Sequence, residues 1–444
     1  MNKYFANKGF YRNVGNVMIP IAIQSFINSL SGLIDIIMAS RFHAVSAVST
    51  ALQIDALVQG IAFGIAAGIN IFVVQYYGAK DFKNMKKSFG LSMTAVSFNA
   101  LFWLGLSLGM NTNLLKLFID NESVVAMAYD YLKFSCFAFI CSSVTMSFNF
   151  AYHSVQKAYI PLIISIFVVA SHVALNYFLM IFLNLGVRGA GISMLLTQVL
   201  NVSSYAIYSF ATHQPFVGPL PEMFSFDLTF VKKVFKRVTP LVINETFFGL
   251  GNSLFIVAYG SLGKVVMDSY YIGNQIVNVF FTVVNAMSDA ATSMIGYELG
   301  KHNYEEAENE VNYFLGIAFI LAVAVIGTIM MFAPNIVQLF HVESEKAFNL
   351  SVDIIRVLSV KIAFRLFNVI VFASLRAGGD SKYLTLLDSS ILWGVGLSLT
   401  YFMIYLLGVK DIVLVILLGQ SEQLVRLFLG IKRVKSKKWI RKLV

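Results

Sequence analysis

Gln75-Tyr76-Tyr77-Gly78-Ala79-Lys80-Asp81 closes a long apolar run over 49–76, and Tyr297-Glu298-Leu299-Gly300-Lys301-His302-Asn303 closes another over 266–298. In each, an apolar helix pattern ends on glycine and passes into a short polar turn, as a helix leaving lipid must. The two glycines lie 222 positions apart. The same offset separates Leu185-Gly186-Val187-Arg188 from Leu407-Gly408-Val409-Lys410. Gln156-Lys157-Ala158-Tyr159 and Gly379-Asp380-Ser381-Lys382 are offset by 223, and Pro20 and Pro240 by 220. The chain therefore reads as two copies of one bundle.

Composition supplies the solvent. Of 444 residues, 58% are hydrophobic and 13% charged, where soluble domains carry about 25% charged residues. A spanning helix needs about 20 apolar positions, so the apolar mass predicts an all-α integral membrane protein of about a dozen spans. No stretch remains for a large soluble domain. Six helices are predicted at 14–38, 49–76, 88–109, 124–152, 160–182 and 190–210, and six more at 238–259, 266–298, 311–333, 347–375, 384–407 and 412–431. These give an N-lobe over 1–210, a linker over 211–237 marked by Pro215, Pro219 and Pro221, a C-lobe over 238–431, and a basic tail over 432–444. Six helices per copy make the repeat parallel, related by an axis along the membrane normal.

The net charge of +10 does not require nucleic acid. On the side holding both termini, the predicted loops and ends carry 22 Lys and Arg; the opposite side carries six, Arg41, Lys116, Arg188, Lys264, Lys346 and Lys410. The positive-inside rule then places both termini in the cytoplasm. The tail reads as an anchor beside anionic lipid. A bacterial plasma membrane is the expected location, membrane lipid the surrounding partner, and a monomer the working unit. Cys136 and Cys141 point in different directions on one helix and are read as packing residues. The six His are scattered, and no phosphate-binding loop, zinc motif or nucleophile elbow appears. No enzyme and no cofactor is expected.

Polar residues inside spans are costly and face protein or water. Gln24, Asn28, Ser31 and Asp35 follow one another at spacings of 4, 3 and 4, one face of the first helix. Asn274, Asn278, Thr282, Asn285 and Asp289 make a longer seam in the eighth. Asp55 and Gln59 are one turn apart, with Gln53 off their face; Ser165, His172 and Asn176 mark the fifth helix, Glu245 and Asn252 the seventh, and Lys361, Arg365 and Asn368 share a face of the tenth. These stripes are candidate cavity linings. Asp388, one turn inside its helix, is expected to reach the headgroups.

The segment Gly32-Leu33-Ile34-Asp35-Ile36-Ile37-Met38, the Gln75–Asp81 stretch, and Leu375-Arg376-Ala377-Gly378-Gly379-Asp380-Ser381-Lys382 together resemble the multidrug and toxic compound extrusion (MATE) transporters. The resemblance spans nearly the whole chain. It implies two six-helix lobes around a V-shaped cavity and cation-coupled export of amphiphilic, often cationic, compounds by alternating access. It makes Asp35 the acid of the N-lobe cation or proton site. The family's helix-five Asn and Asp fall at His172 and Asn176, and its helix-six Thr at Met194, beside Ser193. Glu245 matches a helix-seven acid, whose usual acidic partner falls at Arg365. Coupling by H⁺ or Na⁺ is thus expected around Asp35, with Na⁺ taking oxygens from Asp35, Asn176 and Asn28, and with Glu245 and Arg365 forming a structural or gating pair. The deeper charges, Asp35, Asp55, Glu245 and Asp289 against Lys361 and Arg365, favour a cationic or zwitterionic small-molecule amphiphile. The competing reading is a flippase for a lipid-linked sugar or other anionic lipid, which would use Lys361 and Arg365.

Overall fold

The computed structural model describes residues 4–119, 121–340, 342, 344–441 and 443, without the side chains at 30, 32 and 33. Lys3, His341 and Lys442 fall outside them. Twelve long helices follow in order: α1 (Lys8–Ser40), α2 (Val45–Gly78), α3 (Phe82–Met110), α4 (Glu122–Ser135 and Ala138–Ser154, bent by 55° between them), α5 (Tyr159–Phe182), α6 (Gly186–Ala211), α7 (Leu228–Gly260), α8 (Lys264–Gly300), α9 (Tyr304–Gln338), α10 (Glu345–Ala377), α11 (Ser381–Leu406) and α12 (Ile412–Lys435). Ten of these twelve are long and apolar enough to cross a bilayer, counting the bent α4 as one. The other two, α8 and α10, carry polar and charged residues along the span, Asn274 to Asp289 and Asp353 to Arg365, which lower their hydropathy without shortening them. This is a twelve-helix membrane protein.

The repeat is written into the backbone. Lys80 and His302 both adopt left-handed φ, as do Gln156 and Gly379, Gly186 and Gly408, and His213 and Lys437, pairs offset by 222 to 224. Asp81 and Asn303, which end the two stretches quoted at the outset, cap α3 and α9 by accepting the backbone N–H of Asn84 and Glu306. Each glycine turn stops one helix, and the next residue but two starts another.

The chain forms two compact units. One comprises residues 19–242, the other residues 1–18 with 243–444. Both divisions lie inside a helix, beside Pro20 in α1 and Pro240 in α7.

In the 19–242 unit, the segment after α6 packs back onto its own helices. Phe216 is fully buried against the rings of Phe89 and Tyr152, and Lys86 pairs with Glu222 at 3.2 Å. The second unit repeats this at an offset of 223. Trp439 is fully buried, and its backbone lies so close to Gly378 that a Cβ there would meet the Trp439 carbonyl oxygen at 2.0 Å. Arg433 and Arg441 both bind the buried Asp380 carboxylate. The basic tail is therefore docked on the turn between α10 and α11. A buried aspartate attracts its arginines more strongly than a screened surface would.

Candidate functional site

Two close helix approaches build the site of the 19–242 unit. Gly191 brings α6 against α4, where an added Cβ would sit 2.4 Å from the Tyr131 carbonyl oxygen, and Gly189 brings it against Leu179 of α5. Six residues beyond Gly191, Thr197 then faces α5. His172 and Asn176, one turn apart on α5, face Asp35 of α1.

All four residues are buried. His172 Nε2 lies 2.8 Å from Asp35 Oδ1, and Asn176 Nδ2 donates to the same oxygen at 2.6 Å. The other ring nitrogen, Nδ1, lies 3.0 Å from Thr197 Oγ1. A hydroxyl donates to a neutral imidazole and accepts from a protonated one. Thr197 can therefore serve both charge states of His172 without leaving a ring nitrogen unpaired.

A cavity of about 370 Å³ opens beside this cluster. Asn28, Ser31 and Asp35 line it from α1 and Asp55 and Gln59 from α2. The Gln59 amide donates to Ser142 at 2.6 Å and to Asp55 at 3.4 Å. Gln24, two turns before Ser31, instead donates to Asn149 at 2.9 Å.

The second unit carries a different cluster. Arg426 of α12 is wholly buried; it lies 3.3 Å from the Asp388 carboxylate and 3.2 Å from that of Glu422, and donates to the Asp388 carbonyl at 2.9 Å. Asp388 sits where α11 widens into a π-helical turn, Leu386–Ser390, a geometry that alters the carbonyl ladder and often marks functional positions. Its carboxylate also faces Arg365 at 3.6 Å and accepts from Asn244 at 3.1 Å. Beside it, a cavity of about 360 Å³ is lined by Asn274, Asn278, Lys361 and Arg365 among aromatic rings.

The MatE family model matches residues 20–178 and, a second time, 240–402. The chain belongs to the MatE family. Its two matches begin at Pro20 and Pro240, the offset already visible in the sequence. "Uncharacterized transporter YisQ" of Bacillus subtilis is 24% identical over 95% of this chain and 94% of the relative. "Multidrug export protein MepA" of Staphylococcus aureus is 20% identical over 94% of this chain and 92% of its own length. A solved structure of MATE in the bent conformation superposes with a TM-score of 0.88 at 19% identity, covering 96% of both chains. The fold is the twelve-helix, two-lobe fold of MATE transporters, a family of ion-coupled membrane transporters.

On this MatE chain the structure joins Asp35, His172 and Asn176. The α6 hydroxyl at the cluster is Thr197. Ser193, four residues earlier, is buried with its Oγ unbonded among the described residues. Thr197 was readable in principle, since it shares a helical face with Ser193 and Asn201.

The expected pairing of Glu245 with Arg365 does not form. Arg365 and Arg376 are eleven residues apart on α10, three turns on one face. Arg365 meets Asp388, while Glu245 meets Arg376 at 3.6 Å. Asp289 lies eleven residues past Asn278, at the same end as Arg376, its charged neighbour. Glu245 and Asp289 therefore stand outside the wall of the 360 Å³ cavity. Asp388 is buried in protein, facing two arginines. Arg426 and Glu422, charges inside an apolar span, carried the same signal as Asp35 and went unread.

Proposed function

We propose that this protein is a proton-coupled antiporter that exports cationic or zwitterionic amphiphiles by alternating access. The observation that carries the reading is the buried His172–Asp35 pair beside a polar cavity. A carboxylate and an imidazole that share a proton, with a hydroxyl able to follow either state, suit a group that loads and releases H⁺. Sodium fits less well. Hard cations take oxygen ligands, whereas the His172 ring nitrogen meets the Asp35 oxygen at 2.8 Å. The carboxylates of Asp35 and Asp55 favour a positive group in the 370 Å³ cavity. The loop charge supports cytoplasmic termini, and the Bacillus and Staphylococcus relatives support a bacterial plasma membrane.

The test is exchange of tetraphenylphosphonium in proteoliposomes under an imposed pH or sodium gradient. A pH gradient is expected to drive it, and Asp35→Asn and His172→Gln to uncouple it. Exchange driven by sodium alone, or a wild-type rate in Asp35→Asn, overturns the reading.

A further inference from the structure

The wall of the cavity in the second unit carries two basic side chains, Lys361 and Arg365, and one acidic one, Glu422, with Asp388 and Arg426 packed beside them. Both carboxylates have ion-pair partners other than Lys361. Asp388 takes Arg426, Arg365 and Asn244, and Glu422 takes Arg426 and the Gln423 amide at 2.9 Å. Among the described residues, no carboxylate lies within ion-pair distance of Lys361. A surplus ammonium inside a membrane protein is costly unless something compensates it.

A second observation points the same way. Gln420, in the wall of the same cavity and nine-tenths buried, has neither its amide nitrogen nor its oxygen hydrogen-bonded among the described residues. Buried amides in folded proteins find partners with few exceptions. Around these two polar groups stand Phe248, Phe255, Tyr259 and Tyr270. The volume, about 360 Å³, falls in the range of small-molecule sites, about 300 to 1,000 Å³. An apolar wall with a few convergent polar groups is the usual form of such a site.

We propose that this cavity is a binding site for an organic anion: a carboxylate, sulfonate or phosphate on an aromatic or acyl body, its charge on Lys361 and its polar edge on Gln420. The site lies in a different unit from the His172–Asp35 pair and goes beyond the coupling reading. It gives the chain two polar cavities of opposite preference.

The test is equilibrium dialysis of 1-naphthoate with the full chain in detergent, without any gradient. Saturable binding is expected, weakened about tenfold or more in Lys361→Gln, as loss of a charge-assisted hydrogen bond would give. Lys361→Arg should restore it, and neutral 1-naphthamide should bind at least about tenfold more weakly than naphthoate. Asp35→Asn should bind naphthoate as the wild type does, so a failed coupling reading leaves this result intact. Displacement of naphthoate by lysophosphatidylglycerol would assign the natural anion to a lipid headgroup; absence of displacement would assign it to a soluble compound. Both support the site. An unchanged dissociation constant in Lys361→Gln, equal binding of naphthamide, or no saturable binding by monodisperse wild-type protein overturns it.

Discussion

Replacing Arg426 by Met removes a guanidinium and keeps most of its volume, so the packing cost is small. The electrostatic cost is not. Arg426 is 0% exposed, and its loss strips Glu422 of the one arginine at ion-pair distance among the described residues and leaves Asp388 with Arg365 and Asn244. Breaking a buried ion pair by deleting one partner costs about 3–5 kcal/mol, because the other charge stays buried without compensation. The expected loss for Arg426→Met is in that range. Adding Glu422→Gln neutralises the stranded carboxylate and should recover about 1.5–3 kcal/mol, the worth of a hydrogen bond to a charged group. Equilibrium unfolding in mixed micelles with increasing dodecyl sulfate, followed by circular dichroism, measures both values. A loss below about 1 kcal/mol for the single variant, or no recovery in the double variant, would mean that these charges reach water and that the cluster is not buried.

Other consequences are as specific. Trp439→Ala should cost about 3–5 kcal/mol, the usual loss for a fully buried large aromatic, and a thermal-unfolding shift matched by Phe216→Ala would show that the two docked segments do the same work. Gly191→Ala forces a Cβ to 2.4 Å from the Tyr131 carbonyl oxygen, so α6 must shift; the expected result is a marked loss of transport with smaller loss of folded protein on size exclusion. Thr197→Val leaves His172 Nδ1 buried without a partner, a penalty of about 1–3 kcal/mol. It should slow proton-driven exchange about tenfold or more, whereas Thr197→Ser should retain it.

Much of the site was legible because polar residues in lipid are so expensive that each has a reason to be there. Asp35, His172 and Asn176 were found by that argument on two separate helices, and they meet in space. Spacing along a helix, however, gives direction and height only relative to that helix. It could not say that Thr197 rather than Ser193 stands level with His172, which depends on how closely Gly191 lets α6 approach α4. The same limit applied to the second unit. Arg365 and Arg376 share a face; the sequence pointed Glu245 to Arg365, and relative height selected Arg376.

The sequence alone determined the class, the span count and the repeat. Apolar runs of membrane length admit one kind of backbone, and glycine turns recurring at an offset of 222 leave one reading of the order. Tertiary structure decided which charges neutralise which. Ion pairing falls off within a few ångströms, and residues such as Asp388 and Arg426, on different helices, come within that range only when the helices pack. That packing also leaves Lys361, among the described residues, without a carboxylate at ion-pair distance, a feature visible only once the other charges in its cluster have found their partners.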